Sequence, residues 1–172
     1  MDVSHAKNRK DVKRLLESGA IIEYFDHHDP NELIAHPNII YHINTEPNIS
    51  TGLIVNSYVK GKNCLWSIAT AFGDNHMELA TNMAKSEGLD DEQILLLKQI
   101  GLTVNYNSYG QTADDLFYSP EEIAEAVKAC GSDVFRFTEQ SDIFSTLLEN
   151  FSNDMASAGC QEPYSISDNG VI

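Results

Sequence analysis

The chain has 172 residues, of which 42% are hydrophobic, and this suffices for one compact domain with a core of ordinary size. Its 26 acidic residues outnumber its 11 basic ones, so the formal net charge is -15 with histidine neutral. Residues 1–14 hold five of the basic residues and only two acids, so that segment is basic and the rest strongly acidic. This balance argues against a protein that coats nucleic acid and against a surface that binds anionic membranes.

Cysteine usage and hydropathy bear on the location of the protein. Cys64, Cys130 and Cys160 are widely spaced and odd in number, which fits neither a disulfide framework nor a Cys-x-x-Cys metal knuckle. We therefore expect reduced thiols, as in a cytosol. No apolar run approaches the roughly 20 residues of a membrane span, and the amino terminus lacks the apolar segment of a signal peptide. The prediction is a soluble, cytoplasmic protein with no membrane partner.

A helix and two short strands open the predicted structure. Residues 6–18 form an amphipathic pattern that Gly19 should end. Residues 20–25 are apolar and β-favouring, which predicts a buried strand ending at Asp26, and residues 39–43 predict a second strand.

From residue 50 onwards, helices dominate the prediction. Asn75 with Glu78 and Ser119 with Glu122 have the spacing of capping boxes, and a proline follows Ser119 at the first helical position. The tail from residue 158 is polar and shows no periodic pattern. The predicted helices cover residues 50–60, 63–72, 76–87 and 91–104, a segment that begins at residue 120, and about 140–157.

This order of elements predicts the α/β class with a parallel sheet. Only two strands are convincing, whereas a parallel sheet buries both faces and usually has more strands. We therefore expect a partial parallel-sheet domain whose earlier strands precede Met1, followed by a mostly helical connector region. The alternative is that Met1 is the true start and that weak segments such as 102–107 supply the missing strands.

Polar side chains follow the first predicted strand directly, in the order Asp26, His27 and His28. Ligand sites of α/β sheets lie beyond the carboxyl ends of their strands. Carboxylate oxygen together with imidazole nitrogen suits Mn²⁺, Fe²⁺ or Zn²⁺. A solvated polar turn is the alternative for an isolated Asp-His-His sequence.

Two further acids occupy comparable places. Asp2 precedes the first helix, where the end of an earlier strand would lie, so it could share a metal with Asp26 and His27. Asp74 ends the helix over 63–72, where a carboxylate opposes the helix dipole and a nearby cation would offset that cost. Alone, Asp2 could be a helix amino-terminal acid and Asp74 a cap of the next helix. Together, these residues predict a dinuclear metal site that activates water against a phosphoester.

Three short motifs follow one another along the chain, namely Asp2-Val3-Ser4 with Lys7-Asn8, Tyr24-Phe25-Asp26-His27-His28, and Phe72-Gly73-Asp74-Asn75. They resemble motifs two, three and four of the DHH phosphoesterases. This superfamily includes RecJ-type exonucleases, nanoRNA and cyclic-dinucleotide-product phosphodiesterases, and family II inorganic pyrophosphatases. The chain looks closest to a bacterial RecJ-like branch of unassigned substrate, and this resemblance extends over most of its length. The branch-level matches are Ser50-Thr51, residues 53–56 and 105–107, and Tyr109-Gly110.

The resemblance implies a role for each candidate site residue. Asp2 would bridge two metal ions, and His27 and Asp74 would ligate the second of them. Asp26 would hold the turn and orient its histidines. His28 would face the phosphate and stabilise charge that develops on its oxygens. The metal usual in this superfamily is Mn²⁺, with Mg²⁺ or Co²⁺ possible.

Two parts of the family pattern have no counterpart here, namely its first Asp-x-Asp motif and its glycine-rich, arginine-bearing substrate domain. Residues 1–88 would then be the carboxyl-terminal part of a DHH catalytic domain, 89–157 the helical connector, and 158–172 the start of a truncated second domain. We therefore expect this chain alone to hydrolyse phosphoesters weakly or not at all.

The substrate expected from the resemblance and the charge is a small phosphoester or a short oligonucleotide. Long single-stranded nucleic acid needs a basic groove with stacking aromatic residues, which an acidic segment does not offer. Two other interpretations stay open. One is a non-catalytic metal- or nucleotide-binding regulatory module of DHH-like fold, and the other is a helical interaction domain with a chance Asp-His-His sequence.

Overall fold

The computed structural model describes residues 4–110, 112–139 and 142–159, and the backbone of 166–167 and 170–171. The described chain is mixed α/β and mostly helical, which confirms the α/β class. Short 3₁₀ segments and a two-residue antiparallel pair, β3 (Ile166–Ser167) with β4 (Gly170–Val171), complete it. The main elements are α1 (His5–Glu17), β1 (Ile22–Asp26), β2 (Ile39–Ile43), α2 (Thr51–Tyr58), α3 (Cys64–Gly73), α4 (Met77–Ser86), α5 (Asp91–Tyr106), α6 (Pro120–Cys130) and α7 (Asp142–Gly159).

Strands β1 and β2 pair in parallel, with Ile22 opposite Ile39 and Asp26 opposite Ile43. The expected parallel pairing is therefore confirmed for these two strands. Because Ile22 and Ile39 lie opposite each other in the pairing, their side chains point to the same face of the sheet. That face packs against the apolar stripe of α1, where Val12 and Leu16 are buried.

The other face of the sheet packs against α2. Phe25 of β1 stacks on His42 of β2 with ring centroids 4.4 Å apart, and both rings meet Tyr58 of α2 edge-on. The two strands thus form a layer between α1 and α2, and this layer brings their carboxyl ends to one edge.

A second core lies among the helices, where α3 and α5 approach closely. A Cβ atom on Gly101 would lie 1.9 Å from the Ala69 carbonyl oxygen, and one on Gly73 would lie 2.9 Å from the Gly101 carbonyl oxygen. Glycine at both positions lets the two backbones touch. This core joins α3 to α5 and so spans the predicted boundary at residue 88, and the division into domains stays a prediction.

The predicted capping box of Asn75 with Glu78 is wrong, because Asn75 closes the preceding helix instead. Asn75 takes a left-handed φ of 64°, and the next amide, that of His76, donates to the Ala71 carbonyl at the end of α3. His76 is therefore the residue that begins α4. The box of Ser119 with Glu122 is confirmed at the start of α6.

Segment 102–107, the alternative source of a strand, lies almost wholly within α5 and forms no strand. The helices inside the described ranges include none with both the length and the apolar character needed to cross a membrane.

Candidate functional site

The predicted site lies at the edge of the sheet where β1 and β2 both end. Asp26 is the last residue of β1, and the amide of Asn44, just past β2, donates to the Asp26 carbonyl at 3.2 Å. His27 and His28 follow Asp26. The structure thus confirms the predicted position of this turn beyond a strand end.

Asp26 is only 1% exposed, and its carboxylate accepts hydrogen bonds on both oxygens. Oδ2 accepts from the amide of His5 at 2.7 Å, and Oδ1 accepts from the amide of His28 at 3.1 Å. His5 is the first residue of α1, so its amide is one of those that a helix leaves without an internal partner. Asp26 therefore joins the end of β1 to the start of α1.

These donors decide the charge of Asp26. Burial by itself raises the pKa of a carboxyl group, but the amides of His28 and His5 and the nearby His28 ring outweigh it and lower the pKa of Asp26. The carboxylate is therefore ionised at neutral pH although it is buried.

His28 is oriented by the same carboxylate. Its Nδ1 lies 2.9 Å from Asp26 Oδ1, and since an ionised carboxylate only accepts, Nδ1 carries the proton of a neutral ring. The side chain is 43% exposed, so the ring reaches solvent while one nitrogen stays fixed. Asp26 thus contacts the His28 ring, and the role that the resemblance implies for this contact stays a prediction.

His27 is anchored by a backbone carbonyl. Its Nδ1 lies 2.7 Å from the Ile49 oxygen, and because a carbonyl only accepts, Nδ1 is the donor. In a neutral ring the lone pair then resides on Nε2. Histidine ligands of metal ions are held in this way, with one nitrogen donating to a carbonyl or carboxylate and the other on the metal.

Asp74 caps the carboxyl end of α3, as predicted from the sequence, and is partly buried. The residue before it is fixed by α5, because Asn105 Nδ2 donates to the Gly73 carbonyl at 3.0 Å. Sequence reasoning gave Asn105 no role beyond the resemblance. The only feature of the sequence that could have indicated this contact is that Asn105 is a polar residue on the helix that packs against Gly73.

Of the predicted metal ligands, His27 and Asp74 lie among the described residues. Asp2 lies outside the described residues. Across the described ranges, no group of three or more His, Cys, Asp or Glu side chains is placed to hold a metal ion. The anchored imidazole of His27 suits a metal, whereas the complete set of Asp2, His27 and Asp74 stays a prediction.

Two residues near this edge, His5 and Ser50, are buried, although sequence reasoning gave His5 no role and named Ser50 only in the resemblance. His5 is fully buried between the rings of Tyr24 and Tyr41, and its Nε2 lies 3.2 Å from the Tyr41 hydroxyl. Ser50, just before α2, is fully buried, and its Oγ finds no hydrogen-bond partner in the described structure. Their spacing in the sequence does not distinguish them from ordinary core or capping residues.

A cleft of about 370 Å³ opens beside the turn. It is lined by the segment after β2, by α2 and by α4, and its lining includes Ile49, whose carbonyl anchors His27. Ile49 therefore lines the cleft and also contacts the turn.

Searches with this chain find no matching family model, curated protein or solved structure.

Proposed function

We propose that this chain forms part of a metal-dependent phosphoesterase of the DHH type, which hydrolyses a phosphodiester or phosphoanhydride bond with metal-activated water. The observation that carries the proposal is the 2.7 Å contact between His27 Nδ1 and the Ile49 carbonyl. It fixes the ring in the tautomer that a metal ion requires, at the edge of a parallel sheet where α/β proteins bind ligands.

The proposal gives each described site residue one task. His27 and Asp74, with Asp2, would hold Mn²⁺, which when bound lowers the pKa of water and neutralises phosphate oxygens. Asp26 holds His28 by its Nδ1, so that the exposed part of the ring can meet a phosphate oxygen.

The charge of the chain supports a small substrate. With a net charge of -15, the chain repels a long polyanion over most of its surface. A small phosphoester or short oligonucleotide brings few charges, which bound metal ions can neutralise.

The test is a calorimetric titration of the folded protein with MnCl₂. Removal of a metal-ligating side chain should weaken Mn²⁺ binding by at least about tenfold, so His27→Ala and Asp74→Asn should both lose affinity. His36→Ala is the matched control, because His36 lies before β2, at the opposite end of the strand. Equal Mn²⁺ affinity in the wild type and both site variants would contradict the proposal.

A second measurement concerns catalysis. Any hydrolysis of a chromogenic phosphodiester in the presence of Mn²⁺ should be abolished in His27→Ala and reduced in His28→Ala. Because this chain alone is expected to hydrolyse phosphoesters weakly or not at all, turnover that depends on His27 would favour the enzyme over the non-catalytic metal-binding module.

A further inference from the structure

The cleft beside the strand-end turn has the size and the apolar lining of a small-molecule site. Its volume of about 370 Å³ lies within the roughly 300–1,000 Å³ of such sites. Leu53 of α2 and Leu79 and Met83 of α4 supply aliphatic surface. A ligand with an apolar body could therefore bury much of its surface here.

Three asparagines, Asn44, Asn48 and Asn56, give the cleft its polar character. A carboxamide has both donor and acceptor groups, and in Asn44 the acceptor already takes a hydrogen bond from the Glu46 amide at 3.0 Å. Charged side chains are absent from the lining that the described residues form, so the cleft offers no countercharge to a phosphate or a carboxylate. These groups favour an uncharged ligand.

Asn56 shows that the polar side of the cleft is incompletely satisfied. Its Oδ1 atom is buried and has no hydrogen-bond partner within the described structure. A buried carbonyl oxygen without a partner destabilises a protein, because it has lost its bonds to water. A ligand that donates a hydrogen bond to the Asn56 carboxamide, after rotation of that side chain, would remove this cost.

We propose that the cleft binds an uncharged group in which an N–H and a C=O stand side by side, as in a lactam or along one edge of an extended peptide residue, on an apolar body. An asparagine carboxamide matches such an edge with two antiparallel hydrogen bonds, one donated and one accepted. An acyl chain would match the aliphatic floor, but it would cover the carboxamides of the lining without offering them a hydrogen bond.

The position of the cleft connects this proposal with the proposed function, and this step rests on that function. Since Ile49 both lines the cleft and anchors His27, a ligand in the cleft lies next to the predicted metal site. The cleft would then hold the organic group of the phosphoester, while its phosphate lies outside at the turn. Amide or lactam groups occur in nucleobases and in peptide-like substituents, and the experiment separates these two sources.

The experiment is an NMR titration of the ¹⁵N-labelled full chain without metal. The probes are uridine, which carries a lactam, N3-methyluridine, in which its N–H is blocked, and N-acetyl-leucine methylamide. Uridine or the capped leucine should shift amide signals of residues 44–57 and 79–83. Because methylation removes one donor, N3-methyluridine should bind about tenfold more weakly than uridine.

Two variants localise the binding. Met83→Trp fills the cleft and Asn56→Leu removes the carboxamide, and each should weaken binding of the active probe by about tenfold or more. Met155→Trp and Asn153→Leu are the matched controls, since both residues are exposed on α7. The ¹⁵N spectrum of each variant shows directly whether it has folded. If either Met83→Trp or Asn56→Leu does not fold, the other one tests the location of binding.

The outcomes are distinct. Binding of uridine alone identifies a nucleobase site, and binding of the capped leucine alone identifies a peptide-amide site. The proposal is overturned if neither probe binds, if N3-methyluridine binds as well as uridine while the capped leucine does not bind, or if both variants bind like the wild type. The Mn²⁺ titration is a separate measurement, so either proposal can fail without the other.

Discussion

Asp26 combines two tasks that usually fall to different residues. Its Oδ2 satisfies a backbone amide at the start of α1, and its Oδ1 holds the amide and the ring of His28. An unpaired carboxylate in this buried position would be costly, so the three donors keep the site ionised. The stability of the sheet layer and the orientation of the proposed phosphate-facing histidine therefore depend on one side chain.

Asp26→Asn should lower the free energy of unfolding by about 2–3 kcal/mol at pH 7, since hydrogen bonds to a charged acceptor contribute about 1.5–3 kcal/mol. An amide has only one acceptor atom and would present its own N–H groups to one of the donors. Urea unfolding followed by circular dichroism measures the loss. Asp11→Asn is the control, because Asp11 pairs with Arg14 on an exposed surface of α1, where such a pair contributes little.

The stability that Asp26 provides should depend on pH in one direction. Its pKa is lowered in the folded protein, so the stabilisation is complete above the unfolded value of about 3.9 and is lost as pH falls through the lower folded value. The difference between wild type and Asp26→Asn should therefore shrink below about pH 4. A difference that stays constant between pH 7 and pH 3 would show that the carboxylate charge is not what stabilises the site.

At the scale of elements, the crossing of α3 and α5 positions Asp74. Gly73 and Gly101 allow the two backbones to touch, and Asn105 of α5 then reaches the Gly73 carbonyl. The acid predicted to bind metal thus follows directly on this close contact between α3 and α5. Movement of α5 would displace the end of α3 and with it Asp74.

Gly101→Ala should destabilise the protein by about 3 kcal/mol or more, because the added Cβ would meet a backbone oxygen that cannot rotate away. Thermal unfolding measures this effect. Gly159→Ala, at the end of α7, is the matched control, since a Cβ there meets nothing within 4 Å and alanine favours the helix. Equal melting temperatures for the two variants would refute the close contact between α3 and α5.

Local patterns predict most of these elements, and the exceptions have local causes. The run of apolar residues located β2, and the capping box located the start of α6. Both signals depend only on neighbours in the sequence. The start of α4 was mispredicted since Asn75 could serve either helix, and only the closing hydrogen bonds of α3 decide between them.

On the scale of the whole molecule, the described chain has two separate cores. One lies between α1 and the sheet, and a larger one lies among the helices around α3 and α5. The turn after Asp26 follows β1, whose residues Ile22 and Tyr24 pack against the smaller core. The sequence predicted that strand ends would carry the site, but it could not predict contacts such as His27 with Ile49, which depend on how a loop folds back over 22 residues.

The smaller core should open before the larger one. Leu16 of α1 is only 4% exposed, so Leu16→Ala should cost about 2–4 kcal/mol and speed amide hydrogen exchange in α1, β1 and β2. Exchange in α3 and α5 should change little, because their core shares no buried residue with the sheet layer. Hydrogen exchange followed by NMR resolves the two regions, with Leu95→Ala as the control, since Leu95 is 56% exposed on α5. Uniform acceleration in both regions would instead show that the two cores unfold as one cooperative unit.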